Sequence, residues 1–233
     1  MFSVRPLART LTLLVPLVAL LGACQAPEPV EEGPLRVLIL GDSISMGYTP
    51  FVKELMPDAH VMRAMRPDGE KPQNCCGTNF ATEHLERWLA QDGGDWDVIH
   101  FNFGLHDLKR VHPETGKNSQ DPDDPHQADP ERYDEQLRAI VARLKETDAR
   151  LVFATTTPVP EGVRPYRAPE DPITYNRVAL HVMRDEGVPI NDLFAYVMGH
   201  EEMIKPKDVH YSKEGSRALG EEVVRAIRAV AKR

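Results

Sequence analysis

Five short apolar runs, separated by stretches of helical periodicity, constrain this chain more than any other feature. The first, Leu35–Leu40, is broken only by Arg36 and stops at Gly41. A continuous apolar run, unlike an alternating one, predicts a strand covered on both faces. His60–Ala64 is a weaker second run, and Trp96–Phe103 is a strong third, behind the turn signal Asp92-Gly93-Gly94-Asp95. Leu151–Thr155 and the short Val188–Ile190 complete the set. Helical patterns fill the intervals: about Tyr48–Met56, Thr78–Leu89, Pro130–Glu146, Pro172–Asp185 and Ser212–Ala231. Asp129 ahead of Pro130 has the form of an N-cap followed by proline at the first helical position. Strands that alternate with helices require right-handed crossovers. The predicted class is therefore α/β, with a mostly parallel sheet of about five strands between two layers of helices.

Two stretches break this alternation. Val111–Asp129 and Thr156–Asp171 are polar or proline-rich, and each follows a predicted strand. Both loops therefore belong at the carboxyl end of the sheet, where open α/β sheets place their ligands. Loops of this length are more often functional than decorative.

Composition bounds the class of partner and the compartment. The 28 Lys and Arg stand against 36 Asp and Glu, a formal charge of −8. That balance disfavours nucleic acid, whose phosphates call for a basic surface. Residues 1–23 read as an export signal: Arg5 and Arg9 lead into the apolar run Leu11–Leu21, which ends in Leu21-Gly22-Ala23-Cys24. The run is shorter than the ~20 residues a membrane span needs. Small residues ahead of a cysteine resemble a bacterial lipobox. That resemblance implies cleavage before Cys24, lipid on Cys24, and anchoring in the cell envelope, at the outer membrane if the host is Gram-negative. The alternative is an ordinary cleaved signal in which Cys24 is incidental. Residues 24–34 then form a Pro/Glu tether, and residues 35–233 the folded domain. Cys75 and Cys76 are neighbours, open to a vicinal disulfide or to two free thiols. No further Cys or His stands at a metal-finger spacing beside them.

The chemistry concentrates at two places far apart in sequence. Gly41-Asp42-Ser43-Ile44-Ser45 follows the first strand directly. A serine at such a turn exposes its hydroxyl beside backbone N–H groups that can hold a developing oxyanion. The segment lacks the glycine spacing of the G-x-S-x-G elbow, and its other reading is a helix cap. Near the opposite end, Lys207-Asp208-Val209-His210-Tyr211-Ser212 leads into the last helix. A serine becomes a nucleophile when a neighbouring base takes its proton, and His210 is the candidate base.

Taken together, these segments resemble the SGNH/GDSL hydrolase superfamily over about Leu35 to the C-terminus. The resemblance implies a flavodoxin-like three-layer sandwich and ester hydrolysis through an acyl-enzyme, with no cofactor and no metal. Ser43 matches the nucleophile and His210 the base. Gly77, in Cys76-Gly77-Thr78-Asn79, matches the glycine whose N–H joins that of Ser43 in the oxyanion hole. Gly104-Leu105-His106-Asp107 matches a block that usually reads G-x-N-D, with His106 in place of the asparagine. A histidine ring N–H can also donate to the oxyanion; otherwise His106 is only a loop residue. The family's D-x-x-H block puts an acid three residues before the base, and here that position is Lys207. Lysine cannot accept a hydrogen bond, so His210 is oriented either by Asp208 or by a backbone carbonyl. An extended segment would turn Asp208 and His210 to one side, whereas a turn leaves their geometry open.

The remaining polar residues carry less. Asn102 reads as a satisfied buried group and Asn176 as helix packing. Arg164, Tyr166 and Arg167 either touch substrate or solvate the second long loop. His112, His126 and Asp107 match no metal-site spacing. The expected substrate is a small-molecule or glycan ester, with acyl groups on sugars favoured over long lipids by the acidic surface and polar rim loops. The alternative from another class is an inactive module of the same fold that binds a glycan or a protein partner.

Overall fold

The computed structural model describes residues 1–2 and 33–231. The expected export signal beyond residue 2, Cys24 and most of the expected tether lie outside the described residues. The sheet has five parallel strands: β1 (Leu35–Leu40), β2 (Ala59–Arg63), β3 (Val98–Phe101), β4 (Arg150–Ala154) and β5 (Ile190–Asn191), in the order β2-β1-β3-β4-β5. Six α-helices cross over between the strands or follow them: α1 (Ser43–Leu55), α2 (Thr78–Ala90), α3 (Pro130–Leu144), α4 (Asp171–Glu186), α5 (Leu193–Met198) and α6 (Lys213–Ala231). The result is the expected three-layer α/β sandwich, with a sheet that is wholly parallel.

The apolar runs explain the centre of the sheet. Val37 to Leu40 in β1 and Val98 to Phe101 in β3 are fully buried and lie in register, Val37 beside Val98 and Leu40 beside Phe101. His100 is buried among them, and burial pushes its pKa down to about 3, which keeps the ring neutral. The strand order reverses direction at β1, because β2 pairs on one side of it and β3 on the other. The crevice at such a switch point is where this class of sheet puts a ligand. Ser43 stands at that point, at the carboxyl end of β1.

α6 packs along α1, and small residues bring the two close. A Cβ added to Gly220 would lie 3.0 Å from Phe51 Cβ, and one added to Gly47 3.2 Å from Ser216 Oγ. The loop that enters α6 is thereby held over the start of α1.

The two long loops are joined to each other. Arg110 N–H donates to Tyr166 O (2.9 Å), and Tyr166 N–H donates to Ser119 O (2.9 Å). The buried Asp171 carboxylate at the head of α4 takes Arg110 Nη1 (3.2 Å), His126 Nε2 (3.3 Å) and Ala168 N–H (2.9 Å). Burial would raise its pKa, but the contacts with His126, the Ala168 amide and Arg110 hold it below the ordinary value. His126 is thus part of a structural hydrogen-bonded cluster around Asp171. Asn176 does more than pack. Its side chain accepts from Thr156 N–H (2.8 Å) and donates to Thr156 O (2.8 Å), which ties the start of the second loop to α4.

Candidate active site

The turn that carries Ser43 is built on Asp42. Its backbone is extended, and its carboxylate accepts from Ile44 N–H (2.8 Å), which caps α1 directly. The helix therefore starts at Ser43 rather than near Tyr48. Asp42 is buried, and burial raises its pKa against the pull of the Ile44 amide and of Arg167 and Arg63. Ser45, one turn in, donates to Asp42 O (2.7 Å). Arg63, at the end of β2 and 4% exposed, donates to Ser45 Oγ (3.1 Å), Gly41 O (3.2 Å) and Gln73 O (2.8 Å). The turn that carries Ser43 is thus stapled from below by a buried guanidinium.

His210 arrives from the other end of the chain. His210 Nε2 lies 2.9 Å from Ser43 Oγ, and His210 Nδ1 lies 2.8 Å from Asp208 Oδ1. The same Oδ1 accepts from the His210 backbone N–H (2.9 Å). The segment is a bend, so the turn geometry applies. A local Asx turn, and not strand alternation, brings the carboxylate to the imidazole. The hydrogen bond from the His210 amide, with that from its ring, holds the Asp208 carboxyl below the usual carboxylate range. Lys207 adopts φ +61° immediately before it.

Gly77 is the N-cap of α2 and offers no side-chain cap. The cap comes from Asp107, whose Oδ1 accepts from Thr78 N–H and Thr78 Oγ1 (2.7 Å each). A Cβ on Gly77 would lie 2.5 Å from that oxygen and 2.8 Å from Gln127 Nε2, so only glycine fits. Burial raises the pKa of Asp107 to about 6 against the Thr78 hydrogen bonds, and Asp107 Oδ2 has no partner. Gly104 has φ +153°, and a Cβ there would collide with Thr156 Oγ1. It starts the turn that carries His106. His106 is largely buried, its Nδ1 has no partner, and burial lowers its pKa to about 3. Lys109, Arg167 and His210 push the same way.

Ser43, Asp208 and His210 therefore form one hydrogen-bonded chain. Ser43 and Gly77 stand at the heads of α1 and α2, where first-turn N–H groups lack intrahelical acceptors. Asn102 donates to Ala154 O (2.7 Å), a satisfied bridge between β3 and β4. Cys75 is a buried free thiol with its pKa pushed up to about 12, and Cys76 is a half-buried free thiol. Among the described residues, no cluster of three or more His, Cys, Asp or Glu is placed to hold a metal ion.

Residues 39–218 match the profile of the GDSL-like lipase/acylhydrolase family. Among solved structures, the lipase/acylhydrolase from Enterococcus faecalis is similar, with TM-score 0.64 at 19% identity over 83% of this chain and 95% of that one. An acetyl xylan esterase gives TM-score 0.63 at 14% identity, over 82% and 99%. A variant of an acetyl-xylooligosaccharide esterase from Geobacillus gives 0.62 at 15%, over 84% and 94%. At such identities the likeness is one of fold. No curated protein sequence matches the chain significantly. The profile match spans most of the folded domain and contains both Ser43 and His210, and by it the chain belongs to the GDSL-like lipase/acylhydrolase family, the SGNH hydrolases.

Proposed function

We propose that the protein is an exported serine esterase that removes short acyl groups from carbohydrate through an acyl-enzyme. The observation that carries this reading is the chain Ser43 Oγ to His210 Nε2 (2.9 Å) and His210 Nδ1 to Asp208 Oδ1 (2.8 Å). Ser43 Oγ attacks the ester carbonyl carbon while His210 Nε2 takes the hydroxyl proton. The tetrahedral intermediate collapses, the alcohol leaves with that proton, and the acyl group stays on Ser43. Water then repeats the sequence and frees the acid. Asp208 accepts from Nδ1–H throughout and stabilises the imidazolium. Ser43 N–H, Gly77 N–H and a ring N–H of the neutral His106 receive the oxyanion. The carbohydrate preference is supported by the acetyl xylan and acetyl-xylooligosaccharide esterases of similar fold.

A fluorophosphonate probe should label the wild type and leave Ser43→Ala unlabelled. In a series of p-nitrophenyl esters, acetate should outrun octanoate, and acetylated xylooligosaccharides should release acetate. An unlabelled wild type would end the esterase reading. Anchoring is tested separately. With lipid on Cys24 the protein sediments with membranes, and Cys24→Ser releases it; a soluble wild type would contradict the anchor.

A further inference from the structure

The turn that carries His106 is held through its main-chain carbonyls. Phe103 O accepts from the Tyr133 hydroxyl (2.7 Å), Gly104 O from Leu108 N–H (3.0 Å) and Asp107 O from Ala128 N–H (3.1 Å). Leu105 O accepts from Arg167 Nε–H (2.8 Å), and among the described residues it has no other donor. Leu105 O and His106 N–H belong to one peptide group, which is planar. A bond that fixes this oxygen therefore fixes the plane from which the His106 side chain departs.

Arg167 is itself held on both sides. It lies on the second long loop and is 6% exposed. Before it, Tyr166 donates its N–H to Ser119 O and accepts from Arg110 N–H (2.9 Å each). After it, Ala168 N–H donates to the Asp171 carboxylate (2.9 Å), and Ala168 O accepts from Asp171 N–H (3.0 Å). The guanidinium also donates to Pro165 O (3.3 Å). Burial brings its pKa down to about 10 against the charge of Asp42, so it remains a cation at neutral pH. A buried guanidinium is a costly way to fill space, since an apolar side chain of similar volume does so without desolvation. What the arginine adds here is a donor aimed at Leu105 O.

We propose that Arg167 is a positioning residue for the oxyanion hole: its Nε–H holds the Leu105–His106 peptide so that the His106 ring meets the oxyanion formed at Ser43. The effect on rate rests on the esterase reading above, with His106 as a donor; the hold on the peptide does not. A displacement of about 1 Å at a reacting group can cost ~10² in rate, and a whole oxyanion donor is worth ~10²–10³. The loss on removing Arg167 should fall within that range, and it should vanish when the ring is absent.

The test is a double-mutant cycle with His106, read on p-nitrophenyl acetate. Arg167→Met keeps an unbranched stem and has no donor, whereas Arg167→Gln carries an N–H as many bonds from Cα as Nε. Arg167→Met should lower kcat by at least about tenfold and leave KM within about threefold. In a His106→Ala background the same change should cost less than about twofold, because the ring it positions is gone. Arg167→Gln should keep at least about a third of the wild-type kcat, since the hydrogen bond and not the charge does the positioning. The proposal is overturned by wild-type kcat in Arg167→Met, by an equal loss in both backgrounds, by a rise in KM alone, or by an Arg167→Gln enzyme as impaired as Arg167→Met. If Arg167→Met does not fold, Arg167→Lys takes its place, with the charge kept but no nitrogen at the Nε position. A loss confined to the background with His106 then supports the proposal, and wild-type kcat or an equal loss in both backgrounds overturns it. A wild type that hydrolyses no ester ends the esterase reading, and the hold on the peptide is then read by crystallography. In the folded variant the Leu105–His106 peptide should turn while Ser43 Oγ and His210 Nε2 stay in contact. An unmoved peptide would overturn the proposal whatever the turnover.

Discussion

Ser43 and His210 lie 2.9 Å apart, yet the chain holds them in different ways. The Ser43 turn is sunk into the fold. Asp42 is 2% exposed and Arg63 4%, and between them they bind the backbone or side chains of Gly41, Ile44, Ser45 and Gln73. The His210 bend lies at the surface, with the His210 and Asp208 side chains 52% and 45% exposed. Its geometry comes from one acid two residues away and from the docking of α6 on α1. Backbone N–H groups that must meet an oxyanion need a rigid frame, and the frame is made of the same bonds that stabilise the fold. A general base needs only its ring oriented. Changes on the base side should therefore cost rate without stability.

Asp208→Asn gives the sharpest test. Asparagine keeps the oxygen that accepts from the His210 amide, so the bend survives. It removes the charge that stabilises the imidazolium and allows the wrong tautomer. The expected loss in kcat is up to ~10⁴, with stability within about 0.5 kcal/mol of wild type, as for other exposed positions. A loss below tenfold would mean a Ser–His pair held by the loop alone. A marked fall in melting temperature would break the contrast between the two sides.

His106 belongs to the buried side, and its effect should be smaller. His106→Ala should lower kcat by ~10²–10³ with less change in KM, the usual worth of one oxyanion donor. His106→Asn should keep substantial activity. Because the ring titrates only near pH 3, the pH–rate profile above about pH 5 should have no limb that disappears in His106→Asn. A His106→Ala enzyme with wild-type kcat would remove the ring from the site.

What could be read from the sequence follows the same division. Continuous apolar runs mark buried parallel strands well, and β1 and β3 were legible for that reason, although β3 is two residues shorter at each end than Trp96–Phe103. Asp208 was legible as a candidate, but the sequence could not tell a bend from a strand. α1 was expected only from about Tyr48, whereas Asp42 caps it at Ser43. In the structure Pro50 lies inside the helix, and the carbonyl it fails to serve, on Met46, is at an exposed residue. α5 has six residues, too few for periodicity to register, although Asp192 capping Ala195 N–H and Gly199 at its end are the usual punctuation. Arg63 escaped notice, and Arg167 was read as a substrate-touching or solvated loop residue rather than a buried one. Their partners are chiefly main-chain carbonyls, which leave no trace in the side-chain pattern.

The smallest expected effect concerns Asp107 and is read in stability. In the unfolded chain its carboxyl has the ordinary pKa of 3.8, and in the fold burial raises it to about 6. Between those values the folded state binds more protons than the unfolded one, so stability falls as pH rises through that window. The Asp107 contribution is complete below about pH 4 and lost above about pH 6, amounting to at most roughly 3 kcal/mol at ~1.4 kcal/mol per pH unit. Asp107→Asn keeps an acceptor for Thr78 N–H and removes the titration. The quantity to measure is the unfolding free energy of variant minus wild type, by denaturant titration from pH 3.5 to 7.5, because groups common to both chains then cancel. That difference should rise in favour of the variant from pH 4 to 6 and be flat outside this range. The same measurement on Asp208→Asn should move the opposite way and far less. A folded pKa held down by the His210 amide and ring contributes stability above pH 4 that is lost on acidification, and solvent screens the exposed pair. Parallel pH profiles for the two variants would show that the buried cap and the exposed acid are held alike.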